Sequence, residues 1–332
     1  MVYFEEIKKK SVLTLLFVSC IALLFIGASC SSSSSKDGAQ ATGKSFRVGT
    51  EGLTMRFLSG SPPSQIYTGT DNLPIMLEVI NKGAYPSISE QFTGDIYLSG
   101  FDSQILQISP VKTALSSQDL YGRSETYQQG GIQRISDFKI NTVSLSGGEK
   151  SKQTILATVC YQYATLVEAP ICVDPDPYGI TIKDKVCQAK DVTLTSQGAP
   201  VVVTKIEQDM LKDRLQFTIH VKNMGSGRLL STEGFNNCPD KIRYEDLNKV
   251  VISEASLGGR PLTCSPGGSI TKPIYIMGDA KNAKNSEGVA VCTTTGSIDK
   301  DDSAYQSTLT LKLIYAYQDS AQTSIEVIKI PE

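Results

Sequence analysis

The chain has 332 residues, with 32 basic and 34 acidic side chains, one histidine, eight cysteines and no tryptophan. A net charge of −2 leaves no basic field to draw nucleic acid, and the missing tryptophan removes the commonest stacking platform for sugars. The length beyond the N-terminal apolar run suits two domains of ordinary size.

Lys8, Lys9 and Lys10 precede Val12 to Ser29, an 18-residue run without a charge. As a helix rising about 1.5 Å per residue it spans about 27 Å, just under the ~30 Å hydrocarbon core of a bilayer. The pattern is that of a secretory n-region and h-region, and the run also suits a retained transmembrane helix. Gly27-Ala28-Ser29-Cys30 resembles the lipobox of prokaryotic lipoproteins, which implies cleavage before Cys30 and its lipidation, although Gly27 stands where that family usually has leucine. Three outcomes stay open: lipidated Cys30, an uncleaved transmembrane helix, and a signal peptide cleaved without a lipid. All three export the chain, because the lysines keep the N-terminus inside. Residues 1–30 are therefore the signal or anchor segment, and the expected location is the outer face of the cytoplasmic membrane. Ser31 to Ser35 and Lys36-Asp37-Gly38 make 31–44 a flexible tether. Without residues 1–30, 29 basic and 32 acidic side chains remain.

Residues 45–174 read as a first β domain. Leu73, Ile75, Leu77 and Val79 alternate with more polar neighbours, as in a strand with one buried face, and run into Asn81-Lys82-Gly83, a turn in which glycine tolerates positive φ. Tyr97-Leu98-Ser99-Gly100 ends a second strand. Residues 102–135 read as a polar insertion carrying Tyr121, Arg123, Tyr127 and Arg134, a candidate binding loop because Tyr and Arg are favoured at binding hot spots. Ile155, Ala157, Val159, Tyr161 and Tyr163 alternate next. A short turn centred on Leu166 is expected to fold strand 168–174 back, placing Cys160 opposite Cys172. Asp174-Pro175-Asp176-Pro177 interrupts pairing, and 175–190 is the connector.

Residues 191–332 repeat the landmarks in the same order. Leu215, Phe217, Ile219 and Val221 run into Asn223-Met224-Gly225, Ser256-Leu257-Gly258-Gly259 follows, and Leu309, Leu311, Leu313, Tyr315 and Tyr317 end in the same Tyr-x-Tyr. Three matches at offsets of 142, 159 and 154 argue for duplication. No apolar spacing of three and four is sustained as a core helix needs, so the fold is all-β: two tandem immunoglobulin-like antiparallel β-sandwiches after an N-terminal hydrophobic helix. The alternating strand plus "NKG" or "NMG", with the late Tyr-x-Tyr strand, resembles the CARDB-type immunoglobulin-like domains of prokaryotic, archaeal-like surface proteins. The resemblance implies adhesion, envelope scaffolding or presentation of other modules.

Six cysteines follow Cys30, and an even count in an exported chain reads as disulfides. The expected pairs are Cys160–Cys172, Cys264–Cys292 and Cys187–Cys238. No C-x-x-C occurs, and neither a metal nor another cofactor is expected. Asp174 with Asp176, and Asp299 with Asp301 and Asp302, carry enough oxygens to ligate Ca²⁺, but lack the twelve-residue loop pattern and read as solvated turns. His220, the only histidine, falls between inward-facing Ile219 and Val221, so parity puts it on the solvent face. No nucleophile elbow, phosphate loop or zinc-protease motif accompanies it. The expectation is a membrane-tethered extracellular binding or scaffold protein without catalysis, whose partners are the membrane and other envelope proteins. The alternatives are an envelope hydrolase using carboxylates and a solute-binding lipoprotein.

Overall fold

The computed structural model describes residues 46–176, 179, 185–211, 214–266, 272–277, 286–296, 298 and 303–330. The anchor segment with Cys30, the tether 31–44 and the cluster of Asp299, Asp301 and Asp302 lie outside the described residues.

The first half contributes β1 (Leu53–Phe57), β2 (Gln65–Tyr67), β3 (Leu73–Asn81), β4 (Gly94–Ser99), β5 (Leu106–Ser109), β6 (Lys112–Ala114), β7 (Ile132–Val143) and β8 (Lys150–Val173). The second contributes β9 (Val192–Thr193), β10 (Val201–Leu211), β11 (Arg214–Asn223), β12 (Arg228–Leu230), β13 (Lys249–Leu257), β14 (Arg260–Ser265), β15 (Ile274–Tyr275), β16 (Glu287–Thr294) and β17 (Tyr305–Ile328). Two short 3-10 turns, Glu233–Asn237 and Tyr244–Asp246, are the described helical pieces. The fold is all-β and sandwich-like, with antiparallel pairing throughout except where β2 joins β17 in parallel.

One sheet has the order β1-β3-β7-β5; the other runs β6-β4-β8-β17-β13-β14-β16-β11-β10-β9, with β2, β12 and β15 attached. β8, the last strand of the first half, and β17, the last of the second, pair antiparallel along their whole lengths, from Tyr305 opposite Val173 to Ile328 opposite Lys150. The described residues accordingly form one compact unit.

Unbroken pairing explains one departure from the sequence reading. No turn forms at Leu166, because β17 supplies a ladder partner for every residue of β8. Cys160 and Cys172 therefore lie twelve positions apart on one strand, about 40 Å at roughly 3.3 Å per residue, and cannot bond. Cys160 instead pairs with Cys238, and Cys172 with Cys187. The third bridge joins directly opposed positions of β14 and β16, Cys264 and Cys292, as the sequence suggests.

The segment 102–135 is also more than a polar insertion. It holds β5, β6 and the start of β7, and buries Leu106, Leu120 and Ile135. Four residues of alternating burial in β5 are too short a run to stand out among the surrounding Ser, Gln and Gly.

Candidate functional site

Directly opposed residues of antiparallel strands share a face. Tyr161 pairs with Tyr317 and Tyr163 with Tyr315, so four tyrosines form one buried cluster at the middle of the β8–β17 ladder. Neighbouring rings lie 5.5 Å (Tyr161–Tyr163), 5.9 Å (Tyr161–Tyr317), 6.3 Å (Tyr163–Tyr315) and 6.4 Å (Tyr315–Tyr317) apart. Burial pushes all four phenols upward, Tyr317 to about 12, since a phenolate there would be poorly solvated.

Each hydroxyl ties the central strands to the layer above. Tyr163 Oη donates to Asn81 Oδ1 at 2.9 Å, and Asn81 also accepts from Gly83 N at 3.1 Å and donates to Tyr85 O at 2.8 Å. Tyr317 Oη donates to Asn223 Oδ1 at 3.0 Å, which accepts from Gly225 N at 3.3 Å while Asn223 donates to Gly227 O at 3.2 Å. The same three bonds recur, the two made by each asparagine to its own turn at identical offsets of two and four residues, the tyrosine arriving from 82 residues away in the first half and 94 in the second. Tyr161 Oη accepts from Leu53 N at the head of β1, and Tyr315 is linked through Thr165 to Val201 at the head of β10. The 154-residue step from Tyr163 to Tyr317 also carries Gln162 onto Ala316, which are paired, so an approximate two-fold axis passes between them.

Gly83 and Gly225 are fixed by this lock for a different reason from the one expected. Neither has positive φ. A Cβ on Gly83 would overlap Tyr163 Oη and come within 2.6 Å of Gly198 O, and one on Gly225 would overlap Tyr317 Oη and lie 2.7 Å from Pro200 Cβ. Glycine is required for the close approach of the phenol. Register shifts the third sequence match by two residues, since Leu98 faces Ala157 whereas Ala255, not Leu257, faces Leu311.

Cys160 points to the other face of the central sheet. There its bridge to Cys238 holds the 231–248 segment against Leu230 and Ala316. Beside it opens a hollow of about 1050 Å³, lined by Leu156 and Thr158 of β8, Gln318 to Ser320 of β17, Met224 and Ile276. Burial holds the Asp319 carboxyl above its usual range, the Glu51 charge adding to the effect. Nothing in the sequence marked this hollow, because its two sides come from strands over 150 residues apart.

The candidate binding-loop residues are brought together only in part. The Tyr121 and Tyr127 rings meet at a tilt, centroids 4.9 Å apart, and line a second hollow of about 550 Å³ with Gln118, Asp119 and Gln129. Arg123 turns away to bond Val48 O. Arg134 lies on β7 and, with Arg56, flanks buried Glu78, whose carboxyl the Arg56 guanidinium holds below its usual range. It belongs to a cross-strand ion network rather than to the tyrosine hollow.

His220 is on the polar face of its strand but is not solvated there. Glu287 Oε2 lies 3.2 Å from Nδ1 and Glu207 Oε1 3.4 Å from Nε2, and only 16% of the side chain is exposed. Asp174 is buried against Lys185 Nζ at 2.8 Å and accepts from Asp176 N, so it is a structural ion pair rather than a solvated turn. Among the described residues no group of three or more His, Cys, Asp or Glu is placed to hold a metal ion, and no helix is long and apolar enough to cross a membrane.

No family model and no curated protein sequence matches the chain. Among solved structures, the crystal structure of the E. coli chaperone DraB is similar over 64% of this chain and 80% of that one, at 10% identity and a TM-score of 0.18. A biofilm-associated protein B domain is similar over 84% of this chain and 74% of that one, at 9% identity and a TM-score of 0.17.

Proposed function

We propose that the protein is a membrane-tethered extracellular binding or scaffold protein, built from two immunoglobulin-like halves of CARDB type behind an export signal, and that it works without catalysis. The observation that carries this reading is a duplicated β body fastened by three disulfides, Cys160–Cys238, Cys172–Cys187 and Cys264–Cys292, which suits an oxidising compartment. Such a body, each half braced by its own Asn–Tyr bond and the two joined along the β8–β17 ladder, holds surface hollows in fixed relation to one another. Rigid β scaffolds of this kind present loops and edges for recognition. The lysine-flanked apolar run and serine tether would place that surface a short distance from the membrane.

Intact mass of the membrane-extracted protein, taken before and after reduction, tests the reading. A mass starting at Cys30 plus acyl chains, with a gain of about 6 Da on reduction at two hydrogens per bridge, is expected. A mass starting at Met1 or Val2 in the membrane fraction selects the transmembrane anchor instead. Free thiols in a protein recovered from the cytosol overturn the reading.

A further inference from the structure

β17 has two edges, and among the described residues only one is paired along its length. β8 occupies the inner edge with unbroken register. On the outer edge β13 reaches Ile314, β12 covers Ala316 to Gln318, and β2 begins at Glu326. Asp319 to Ile325 has no outer strand partner among the described residues. Glu326 donates its N–H outward, to Ser64 O. Strand alternation turns the carbonyls of Ser320, Gln322 and Ser324, and the N–H groups of Gln322 and Ser324, to the same side. The Ser320 N–H is held at 2.8 Å by Asp319 Oδ1. Ser320, Gln322 and Ser324 are exposed.

An open edge is a template for another chain, and proteins ordinarily blunt it with charge, proline or a bulge. The repeat provides an internal comparison. The 154-residue step places Gln322 at the position of Glu168, and Ser324 at the position of Pro170. β8 thus carries a charge, paired with Arg47 at 3.1 Å, and a residue without an N–H, where β17 carries two neutral polar residues. From Ser320 to Ser324 there is no charge, no proline and no register shift.

The gap also has a length. Seven residues at roughly 3.3 Å give about 23 Å, closed by β12 at one end and β2 at the other. The 24-residue β17 of a second copy would run into both. What fits is a segment that enters and leaves within about seven residues. At the β12 end the gap meets the large hollow, where Asp319 makes no ion pair among the described residues and the exposed Met224 offers apolar surface.

We propose that Asp319–Ile325 receives an extended peptide segment of a partner protein as an added strand, with a lysine or arginine of that segment meeting Asp319 and an apolar side chain entering the hollow. The main-chain ladder supplies affinity and these two side-chain contacts supply selectivity. The proposal rests on the binding-protein reading, and names the class of partner.

The test pans a random heptapeptide display library on the full oxidised chain, counter-screening against Ser324→Pro. That variant removes one outward N–H and copies Pro170, leaving the β8 ladder intact. Selected peptides should carry Lys or Arg at one end and bind the parent chain about tenfold or more tighter than Ser324→Pro, and Asp319→Asn should weaken them about fivefold. Failure to select any peptide, or equal binding to both chains, overturns the proposal. Should Ser324→Pro not fold by circular dichroism, the selected peptides are methylated on alternate amides: lost binding supports the added strand, and unchanged binding overturns it. Location at the cell surface is read independently by the mass and reduction measurement, so the two readings fail separately.

Discussion

The Asn–Tyr lock makes a quantitative demand on the second half. Tyr317 Oη donates to Asn223 Oδ1 at 3.0 Å, accepts from Gly227 N at 3.0 Å, and sits where a Gly225 side chain would go. Tyr317→Phe removes those bonds and leaves buried partners short, a loss of about 2 kcal/mol. Gly225→Ala adds a methyl against Oη and Pro200, about 3 kcal/mol of overpacking plus about 1 kcal/mol for the displaced hydrogen bond. Both effects act through one oxygen, so the double variant should cost about 4 rather than about 6 kcal/mol, a coupling of about 2 kcal/mol. Urea denaturation of the four oxidised chains measures it. The first half offers the control: a Cβ on Gly83 also approaches Gly198 O at 2.6 Å and Glu51 O at 2.9 Å, backbone that cannot yield, so Tyr163→Phe should not rescue Gly83→Ala. Additivity within about 0.5 kcal/mol in the Gly225–Tyr317 cycle would refute the reasoning.

Alkaline titration should unfold the protein steeply. The folded pKa values of Tyr161, Tyr163, Tyr315 and Tyr317 are raised, Tyr317 to about 12, above the unfolded value near 10. Their contribution is complete below the unfolded pKa and is lost as pH climbs from about 10 to beyond 12, at up to about 1.4 kcal/mol per pH unit for each group. Urea midpoints at pH 9, 10 and 11, with Tyr317→Phe showing a shallower fall, check this. Removing bridges as Cys→Ser pairs should rank with the loops they close: about 4.5 kcal/mol for Cys160–Cys238 at a separation of 78, about 3.6 for Cys264–Cys292 at 28, and about 3 for Cys172–Cys187 at 15. Thermal unfolding of the three double variants tests the order. Lys185→Ala leaves the buried Asp174 carboxylate unpaired and should cost about 3 kcal/mol, recovered in large part by Asp174→Asn in the same chain.

Period-two burial is a local property, and from it the sequence alone determined an all-β chain; the even cysteine count pointed to disulfides, and the recurrence of Asn-x-Gly and Tyr-x-Tyr to the duplication proposed above. Parity along β8 likewise put Cys160 and Cys172 on the same face without reference to any partner. Tertiary structure decided what those residues meet. Whether a strand turns at Leu166 depends on the presence of β17 beside it, and that single long-range pairing redirected two of the three bridges. It also made the glycines of Asn-x-Gly a matter of space rather than of backbone angle, because the phenol that needs the room arrives from 80 to 92 residues away. The hollow at Asp319 and the open edge beside it were illegible for the same reason. A sequence pattern records which face of a strand is buried, whereas an edge is free or paired only by virtue of its neighbours in space.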